Sequence, residues 1–499
     1  MSNRPVLKFL NHVETLGNRL PHPTTLFIWF CLLVLALSWL LSMLGSSAIH
    51  PVDGSTVSVT NLLSQDGLHK ILTKTVSNFT QFAPVGTVLI AMLGLGIAEK
   101  SGLLGALLNR MVAHAGGRGL SAIVVFAGVM SSLAADAGYV VLIPLAGIVF
   151  ASAGKHPLAG MAAAFAGVSG GYSANLLIGP IDAVLAGIST EAARLIEPER
   201  EVAVVTNYYF IVGSTILITA LGTLITEKVT LPALPAWTEK TVTDNMAENA
   251  DHQSLGLRNA GLVLVAALIL IGIGLIPEQG ILRDPATGSI SQSPFIKGIV
   301  TVISLIGALC GVAYGMTLKR YQSKGSVIKD MEDTFATMAS YLVLMFFAAQ
   351  FVNYFGWSNM GMVLAIKGAN WLHALALPPV FLLSIFILMS AFINLLVGSA
   401  SAKWSLLAPV FIPMFLLLGI APENVQAAYR VGDSSTNIIT PLMPYFGVVV
   451  AFMQRYKPDL GVGTIMSLML PYSLAFLIGW SLVFAFWVGF GFPLGPAAG

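Results

Sequence analysis

The chain has 499 residues, of which 56% are hydrophobic and only 10% are charged, and its formal net charge is +2. Soluble domains average about 25% charged residues, so a soluble protein of this size is excluded, and so small a net charge gives no indication of a nucleic-acid partner. The long continuous apolar runs predict an all-α membrane protein with many spans rather than a β-barrel, whose strands alternate over about ten residues.

The first 80 residues divide into three predicted parts. Residues 1–24 place apolar side chains at helical spacing among charged ones, which predicts a cytoplasmic amphipathic helix at the membrane surface. The apolar run that follows is longer than the roughly 7–15 residues of a signal-peptide core, and it predicts a first transmembrane helix over 25–45. Residues 46–80 are then expected to form a periplasmic loop.

A helix needs about 20 apolar residues to cross the hydrocarbon of a bilayer. Further runs of sufficient length cover 205–225, 260–276, 297–318 and 463–489. Between and after them we expect a cytoplasmic linker, a pair of connecting transmembrane helices and a C-terminal tail, over 226–259, 260–330 and 491–499.

The segments 81–225 and 331–490 carry the same features in the same order. The first contains MSSLAADAGYVVLIPLAGIVF and then GVSGGYSANLLIGP, and the second contains MSAFINLLVGSASAKWSLLAPVFIPMF and then GDSSTNIITP. Each has a polar break, an apolar piece with proline, and a Ser/Thr–Asn cluster followed by proline. This shared order predicts an internal duplication.

Each duplicated segment is expected to contain a re-entrant hairpin, because its apolar pieces are too short to cross the membrane twice. We predict these hairpins over 131–150 and 390–415, with tips near 134–138 and 398–404.

Basic residues predict how the two repeats are oriented, since Lys and Arg accumulate on cytoplasmic loops. The most basic short loop is KRYQSKGSVIK at 319–329, which we place inside, and Lys8 and Arg19 place the N-terminus inside as well. The first repeat then starts outside and the second starts inside, which defines an inverted-topology repeat. The C-terminus is expected in the periplasm.

Polar clusters interrupt the two repeats at matching places, 171–175 and 433–437. In hydrocarbon an unsatisfied backbone polar group costs several kcal/mol, so a broken helix is tolerated only where protein or a water-filled cavity covers it. Paired breaks of this kind form the substrate and ion sites of transporters with inverted repeats. A packing role, in which Ser, Thr and Asn join helices by hydrogen bonds, explains two matched clusters less well.

Arg430 and Asp433 are intramembrane charges three residues apart, and two interpretations of them stay open. Either they form a structural ion pair, or Arg430 holds a substrate carboxylate in its bidentate fork while Asp433 serves as an ion ligand or proton carrier. Asp182 is the matching carboxylate of the first repeat and is the second candidate for coupling. Asp136 lies at the first hairpin tip.

Trp404 lies beside Lys403 at the second hairpin tip, which suits a ring-bearing anionic substrate, although tryptophan is also a common interfacial anchor. The remaining substrate-binding candidates are Ser173, Asn175, Asn394, Ser399, Ser401, Asp433 and Pro441. The coupling-ion candidates are Asp433, Asp182, Ser434, Thr436, Asn437 and Asn175, with a Na⁺ site near Asn175 and Asn437.

Three stretches, LNHVETLGNRLPHPTTLF, NLLVGSASAKW and YRVGDSSTNIITPLMPYF, resemble the p-aminobenzoyl-glutamate transporter (AbgT) family, and the resemblance extends over essentially the whole chain. It implies a bacterial inner-membrane homodimer with about nine transmembrane helices and two re-entrant hairpins per protomer, in an elevator-type arrangement of scaffold and transport domains. At matching positions it implies functional roles for Asn394, Trp404, Arg430, Asp433 and Pro441, with Pro422 near the site.

The resemblance also implies that the substrate is p-aminobenzoyl-glutamate, with related aromatic carboxylates or sulfonamide antimetabolites. We therefore predict a secondary active transporter that exports them with the proton gradient. A sodium-coupled importer of p-aminobenzoyl-glutamate or dicarboxylates is the alternative, so the coupling ion is H⁺ or Na⁺. An intramembrane aspartyl hydrolase is a remote alternative without a hydrolase signature to support it, and we expect neither enzyme activity, catalytic residues nor a cofactor.

Overall fold

The structure, a computed structural model, describes residues 23–49, 54–113, 119–134, 138–237, 250–290, 293–322, 325–440, 442–443 and 445–496. The predicted amphipathic helix over 1–24 lies outside the described residues except for its last two positions. Asp136, Pro441 and Pro444 also lie outside them. The described residues are predominantly helical, as the composition predicts, and their strands form one short two-stranded sheet.

The chain begins with helix α1 (Pro23–Met43), close to the predicted first span. The predicted periplasmic loop is partly structured, because strands β1 (Ser47–Ile49) and β2 (Thr56–Ser58) pair antiparallel and helix α2 (Gln65–Thr80) follows. The Ser64 side chain caps α2 by accepting a hydrogen bond from the amide of Gly67.

The described residues of the first repeat form seven helices: α3 (Ala83–Lys100), α4 (Leu103–Ala113), α5 (Leu120–Met130), α6 (Ile143–Ser152), α7 (Pro157–Phe165), α8 (Pro180–Ala193) and α9 (Tyr208–Ile225). Short 3₁₀ or π turns extend four of them, over Ser131–Ala134, Gly138–Leu142, Ala166–Gly170 and Thr226–Thr230.

Helices α10 (Ala250–Leu275) and α11 (Ile299–Thr317) connect the two repeats, with a short helix at Pro294–Lys297 before α11. The predicted linker over 226–259 is shorter in the structure, because α9 continues as Leu231–Ala233 and α10 begins at Ala250. An apolar run indicates only the part of a helix that lies in the hydrocarbon of the bilayer. The polar ends of these two helices therefore fell within the predicted linker.

The second repeat is preceded by the amphipathic helix α12 (Ser326–Thr337) and again contains seven helices. These are α13 (Ala339–Trp357), α14 (Met360–Ala374), α15 (Pro379–Asn394), α16 (Ala400–Leu416), α17 (Pro422–Thr436), α18 (Phe446–Gln454) and α19 (Val462–Gly489).

The helices of the two repeats correspond one to one in chain order. The pair α5–α6 matches the pair α15–α16, and the interrupted pair α7–α8 matches α17–α18. Both hairpins are longer than predicted, since they start at Leu120 and Pro379, and the second tip lies at 395–399 rather than 398–404. The polar residues that indicated the hairpins lie near their tips, so the predominantly apolar beginnings of the first arms gave no hairpin signal.

Seven helical segments of the described residues are long and apolar enough to cross a membrane, by length and composition, and five shorter apolar helices accompany them. Each of the five apolar runs singled out from the sequence overlaps one of these long segments, within three residues at the ends that extend beyond it. The family's count of about nine crossings stays a prediction.

The helices surround three groups of buried apolar side chains. The largest packs the two hairpins and the interrupted helices of both repeats against α9 and α19. A second joins α1 to α13 and α14, and a third joins α4 to α10 and α11. Cys31 and Cys310 are free thiols buried within the second and third groups. The hairpins and interrupted helices thus share one core, which places the candidate site inside a single packed body.

Candidate functional site

The interrupted helices of the two repeats meet each other in the protein interior. The Ser173 amide donates a hydrogen bond of 3.1 Å to the Ser434 hydroxyl, and the Asn437 side chain donates to the Ser169 carbonyl at 3.5 Å. The chain between Gly171 and Gly179 is non-helical, so the first break lies where the sequence predicts it. The contact between the two breaks is the arrangement that a shared site requires.

The second break lies later than predicted. Helix α17 remains regular through Thr436, a 3₁₀ turn covers Asn437–Ile439, and the helix ends there rather than at 433–437. Gly432 does not break the helix but allows α17 to pack closely against α15, since a Cβ atom there would lie 2.8 Å from Cβ of Ser390. The hydroxyls of Ser435 and Thr436 donate back to the Gly432 carbonyl, which lets polar residues remain in a buried helix.

Arg430 pairs with Asp182 across the two repeats, with 2.5 Å between Nη2 and Oδ1. The side chains of the two residues are 2% and 5% exposed. Asp182 also accepts a hydrogen bond of 2.7 Å from the Gly179 amide through its other oxygen, so it closes the first turn of α8. The interpretation of Arg430 and Asp433 as a structural pair within one helix is therefore wrong.

Asp433 pairs instead with Lys403, which lies in the first turn of α16. The distance between Nζ and Oδ1 is 2.5 Å, and both side chains are 1% exposed. The site therefore holds two cations and two anions in two buried pairs, and its formal charge is balanced. Removing one member of such a pair leaves an uncompensated buried charge, which costs about 3–5 kcal/mol.

Asn394, at the end of α15, connects the Lys403–Asp433 pair to the second break. Its amide nitrogen lies 2.6 Å from the Asp433 carbonyl, 2.8 Å from the Thr436 hydroxyl and 2.9 Å from Oδ1 of Asn437. Its side-chain oxygen accepts a hydrogen bond from the Lys403 ammonium. Asn394 thus organises the predicted coupling residues rather than the lining of a cavity.

Trp404 is fully buried and stacks on Tyr429, with ring centroids 4.5 Å apart. Its indole N–H lies 3.0 Å from the Ser189 hydroxyl and 3.2 Å from the Leu185 carbonyl, both on α8. The expectation that Trp404 and Lys403 present a face to a substrate is not met in this structure. Both side chains point into the protein, because each finds its polar partner there.

A cavity of about 330 Å³ lies beside these residues, between the interrupted helices and helices α3 and α13. Three predicted site residues line it: Ser399, Ser401 and Asn437. The first residues of α8 and α16 also line it, so the positive dipole ends of two helices face one space. Such an arrangement favours an anionic group.

The cavity is also lined by four tyrosines that were not among the candidate site residues, although Tyr172 lies within the predicted break 171–175: Tyr139, Tyr172, Tyr341 and Tyr445. Tyr139 and Tyr445 stack with centroids 4.5 Å apart and an interplanar angle of 9°. Tyrosine in an apolar segment carries no signal of its own. The positions of two of them in the sequence could have indicated the site, since Tyr139 directly follows the predicted first hairpin tip and Tyr445 directly follows Pro444.

Asn175 faces the first hairpin rather than the cavity. Its amide donates to the Ser132 hydroxyl at 2.7 Å, and its oxygen accepts from the Leu177 amide at 2.9 Å. No group of three or more His, Cys, Asp or Glu side chains that could hold a metal ion occurs among the described residues. The Na⁺ site near Asn175 and Asn437 stays a prediction.

The chain matches the AbgT putative transporter family over residues 8–499. It is 40% identical over 489 residues to the p-aminobenzoyl-glutamate transport protein of Escherichia coli (strain K12), covering 98% of this chain and 96% of that protein. Two solved structures are also similar, each with a TM-score of 0.92. The YdaH transporter of Alcanivorax borkumensis, described as having an unusual topology, is 55% identical and covers 95% of this chain and 100% of its own. MtrF of Neisseria gonorrhoeae, linked to a class of antimetabolite efflux pumps, is 47% identical. The match covers 98% of this chain and 100% of the MtrF chain.

Proposed function

The chain belongs to the AbgT family of membrane transporters, and we propose that it is a secondary active transporter of p-aminobenzoyl-glutamate, related aromatic anions or sulfonamide antimetabolites. Its relatives are transport proteins and not enzymes. The observation that carries the proposal is the cavity of about 330 Å³ at the junction of two interrupted helices, beside two buried ion pairs.

The chemistry of the cavity fits a molecule with one aromatic ring and carboxylates. Its volume lies within the roughly 300–1,000 Å³ of small-molecule sites. The stacked rings of Tyr139 and Tyr445 offer an aromatic surface, and the N-termini of α8 and α16 offer positive dipole ends to a carboxylate. Ser399 and Ser401 add hydroxyls at the same N-terminus.

Arg430 has one N–H group that could bind a carboxylate, since its Nε–H is buried without a hydrogen-bond acceptor among the described residues. Its side chain is 2% exposed and already bonded to Asp182. We infer that a substrate carboxylate reaches the guanidinium only when the Asp182 contact rearranges. Arg430 in its present position holds α8 and α17 together next to the cavity.

We propose proton-driven export as the direction and coupling. The support is the 47% identity to MtrF, which is linked to antimetabolite efflux. Asp182 and Asp433 are buried carboxylates, and intramembrane carboxylates commonly form proton relays in transporters. The alternative is sodium-coupled import of p-aminobenzoyl-glutamate or dicarboxylates. It is favoured by the many neutral oxygens near the second break, such as those of Thr436 and Asn437.

We further propose that the protein is a homodimer of the bacterial inner membrane, with a cytoplasmic N-terminus and a periplasmic C-terminus. In this arrangement the body around the largest core moves against a dimeric scaffold that includes α10 and α11. Only 11% of the apolar stretch within α10 is buried inside the protein, so this helix presents a large apolar face to lipid or to a second protomer.

The test is transport by the purified full-length protein in proteoliposomes with radiolabelled p-aminobenzoyl-glutamate, under separately imposed H⁺ and Na⁺ gradients. We expect flux that requires the protein and follows the proton gradient. Flux that ignores a proton gradient and follows Na⁺ would establish the alternative. Absence of counterflow exchange between labelled and unlabelled substrate would refute the substrate assignment itself.

A further inference from the structure

Tyr172 lines the cavity from within the first break, in the non-helical segment between Gly171 and Gly179. Its side chain is half-buried, whereas Gly171 and Ser173 on either side are buried, so part of Tyr172 is open to the cavity. The Tyr172 hydroxyl makes no hydrogen bond to another of the described residues. A phenol group can both donate and accept a hydrogen bond, and here both capacities are left for a ligand.

The other polar side chains of the cavity wall already have partners within the protein. The Tyr341 hydroxyl donates to the Pro84 carbonyl at 3.0 Å, and Tyr139 and Tyr445 stack on each other. The remaining side chains of this set that make hydrogen bonds within the protein are those of Ser132, Ser169, Ser399, Ser401 and Asn437. A substrate can therefore bond to Tyr172 without displacing a hydrogen bond of the protein.

The backbone around Tyr172 is held in place from both repeats. The Tyr172 amide donates to the Ser169 carbonyl at 3.4 Å, at the end of the π turn of the first repeat. The next amide, that of Ser173, donates to the Ser434 hydroxyl of the second repeat at 3.1 Å. A side chain that is positioned before a ligand arrives loses less conformational freedom on binding, which favours affinity.

The charges closest to Tyr172 belong to the two buried ion pairs. Asp182, Arg430 and Asp433 each interact electrostatically with Tyr172. Both carboxylates are paired with a cation, Asp182 with Arg430 and Asp433 with Lys403, so they do not repel an anion as unpaired carboxylates would. The surroundings of Tyr172 are thus compatible with an acidic ligand, and a hydrogen bond to an ionised acceptor is roughly twice as strong as one between neutral groups.

We propose that Tyr172 is a specificity-determining residue of the cavity, and that its hydroxyl donates a hydrogen bond to a carboxylate oxygen of the bound substrate. The proposal rests on the transport function proposed above and assigns the side chain that recognises the acid group of its substrate. The dipole ends of α8 and α16 attract an anion, and Tyr172 adds a directed bond to it. A compound that keeps the aromatic ring but carries no charged acceptor gains much less from Tyr172.

The experiment measures binding to the purified full-length protein in detergent by isothermal titration calorimetry, so it does not depend on transport. The two probes are p-aminobenzoyl-glutamate and its diamide, in which carboxamides replace both carboxylates. The proteins compared are wild type, Tyr172→Phe and Tyr341→Phe. Tyr341→Phe is the matched control, because it removes a hydroxyl from the same wall that already bonds to Pro84. Thermal unfolding is recorded for each protein.

We expect Tyr172→Phe to raise the Kd for p-aminobenzoyl-glutamate about tenfold and the Kd for the diamide less than about threefold. A tenfold change is what one hydrogen bond to a charged group contributes at the lower end of its range. The melting temperature is expected to stay unchanged, because the Tyr172 hydroxyl has no hydrogen bond to lose. Tyr341→Phe is expected to lower the melting temperature and to leave the ratio of the two dissociation constants as in wild type.

A wild-type ratio of the two dissociation constants in Tyr172→Phe would overturn the proposal. A lower melting temperature of Tyr172→Phe with equal losses for both probes would also overturn it, because the hydroxyl would then have a structural role. A wild type that binds neither probe would refute the substrate proposed above, and the assignment of Tyr172 with it. The two failures are distinguishable, because only the second is seen in the wild type.

Discussion

The backbone amide of Ser173 lies 3.1 Å from the hydroxyl oxygen of Ser434, which joins the break in one repeat to the interrupted helix of the other. The amide has no helical partner, because the chain leaves the helix after Gly170. A buried amide without an acceptor costs about 1–3 kcal/mol. Ser434 therefore compensates the cost of breaking the helix in the opposite repeat.

Ser434→Ala is expected to weaken the junction between the repeats. The loss of the Ser434 hydroxyl leaves the Ser173 amide unsatisfied, and we expect about 1–3 kcal/mol of destabilisation with reduced flux. Ser435→Ala is the matched control, since the Ser435 hydroxyl donates to the Gly432 carbonyl of its own helix. Thermal unfolding in detergent and counterflow in proteoliposomes measure both effects. Equal losses in the two variants would contradict a specific role for Ser434.

Asp182→Asn and Arg430→Met are each expected to destabilise the protein. The sum of the two losses in unfolding free energy is expected to exceed the loss in the double variant. Each single change leaves one buried charge unpaired, at a cost of about 3–5 kcal/mol, whereas the double change removes both. A double-mutant cycle on unfolding free energies measures the coupling between the two side chains. A coupling near zero would show that the pair across the repeats contributes nothing to stability.

Much of the fold was predictable because the bilayer constrains it. Apolar runs of about 20 residues identified the long spans, and the repeated order of polar breaks identified the hairpins and the first interrupted helix. The exact end of α17 was not predictable. Serine, threonine and aspartate look like helix breakers in sequence, yet Ser435 and Thr436 bond back to their own helix and Asp433 finds Lys403.

The ion pairs of the site were missed for a different reason. Arg430 and Asp433 are neighbours in sequence, and helical spacing favoured pairing them. Their real partners are 248 and 30 residues away, on helices whose relative positions depend on the whole fold. The lining tyrosines were missed because nothing in their local sequence distinguishes a cavity residue from a core residue.

Trp404→Phe is expected to lower stability while leaving KM for p-aminobenzoyl-glutamate within twofold. The indole is fully buried, so the change removes its hydrogen bond to Ser189, worth about 1 kcal/mol, and preserves the stacking on Tyr429. Trp404→Ala is expected to cost about 3–5 kcal/mol because it leaves a cavity. Thermal unfolding and transport kinetics separate the two effects. A large rise in KM for Trp404→Phe at unchanged stability would show that the indole contacts substrate.

Tyr139 and Tyr445 are the residues through which we expect the cavity to recognise an aromatic ring. Their rings are stacked at 4.5 Å, and both line the cavity, so a substrate ring can extend the stack. Aromatic pairs contribute about 0.5–1.5 kcal/mol beyond the burial of their area. Tyr445→Leu is therefore expected to raise KM for p-aminobenzoyl-glutamate about three- to tenfold.

Tyr445→Phe is the conservative variant, because it keeps the ring and removes only the hydroxyl, and we expect its KM to stay within twofold of wild type. Tyr341→Phe controls for the cavity wall, since Tyr341 also lines the cavity and its hydroxyl donates to the Pro84 carbonyl at 3.0 Å. Competition by N-acetylglutamate, which lacks a ring, should be unchanged in Tyr445→Leu if the stack recognises only the ring. An unchanged KM in Tyr445→Leu, or equal losses in the Leu and Phe variants, would exclude ring stacking and assign the tyrosines to packing.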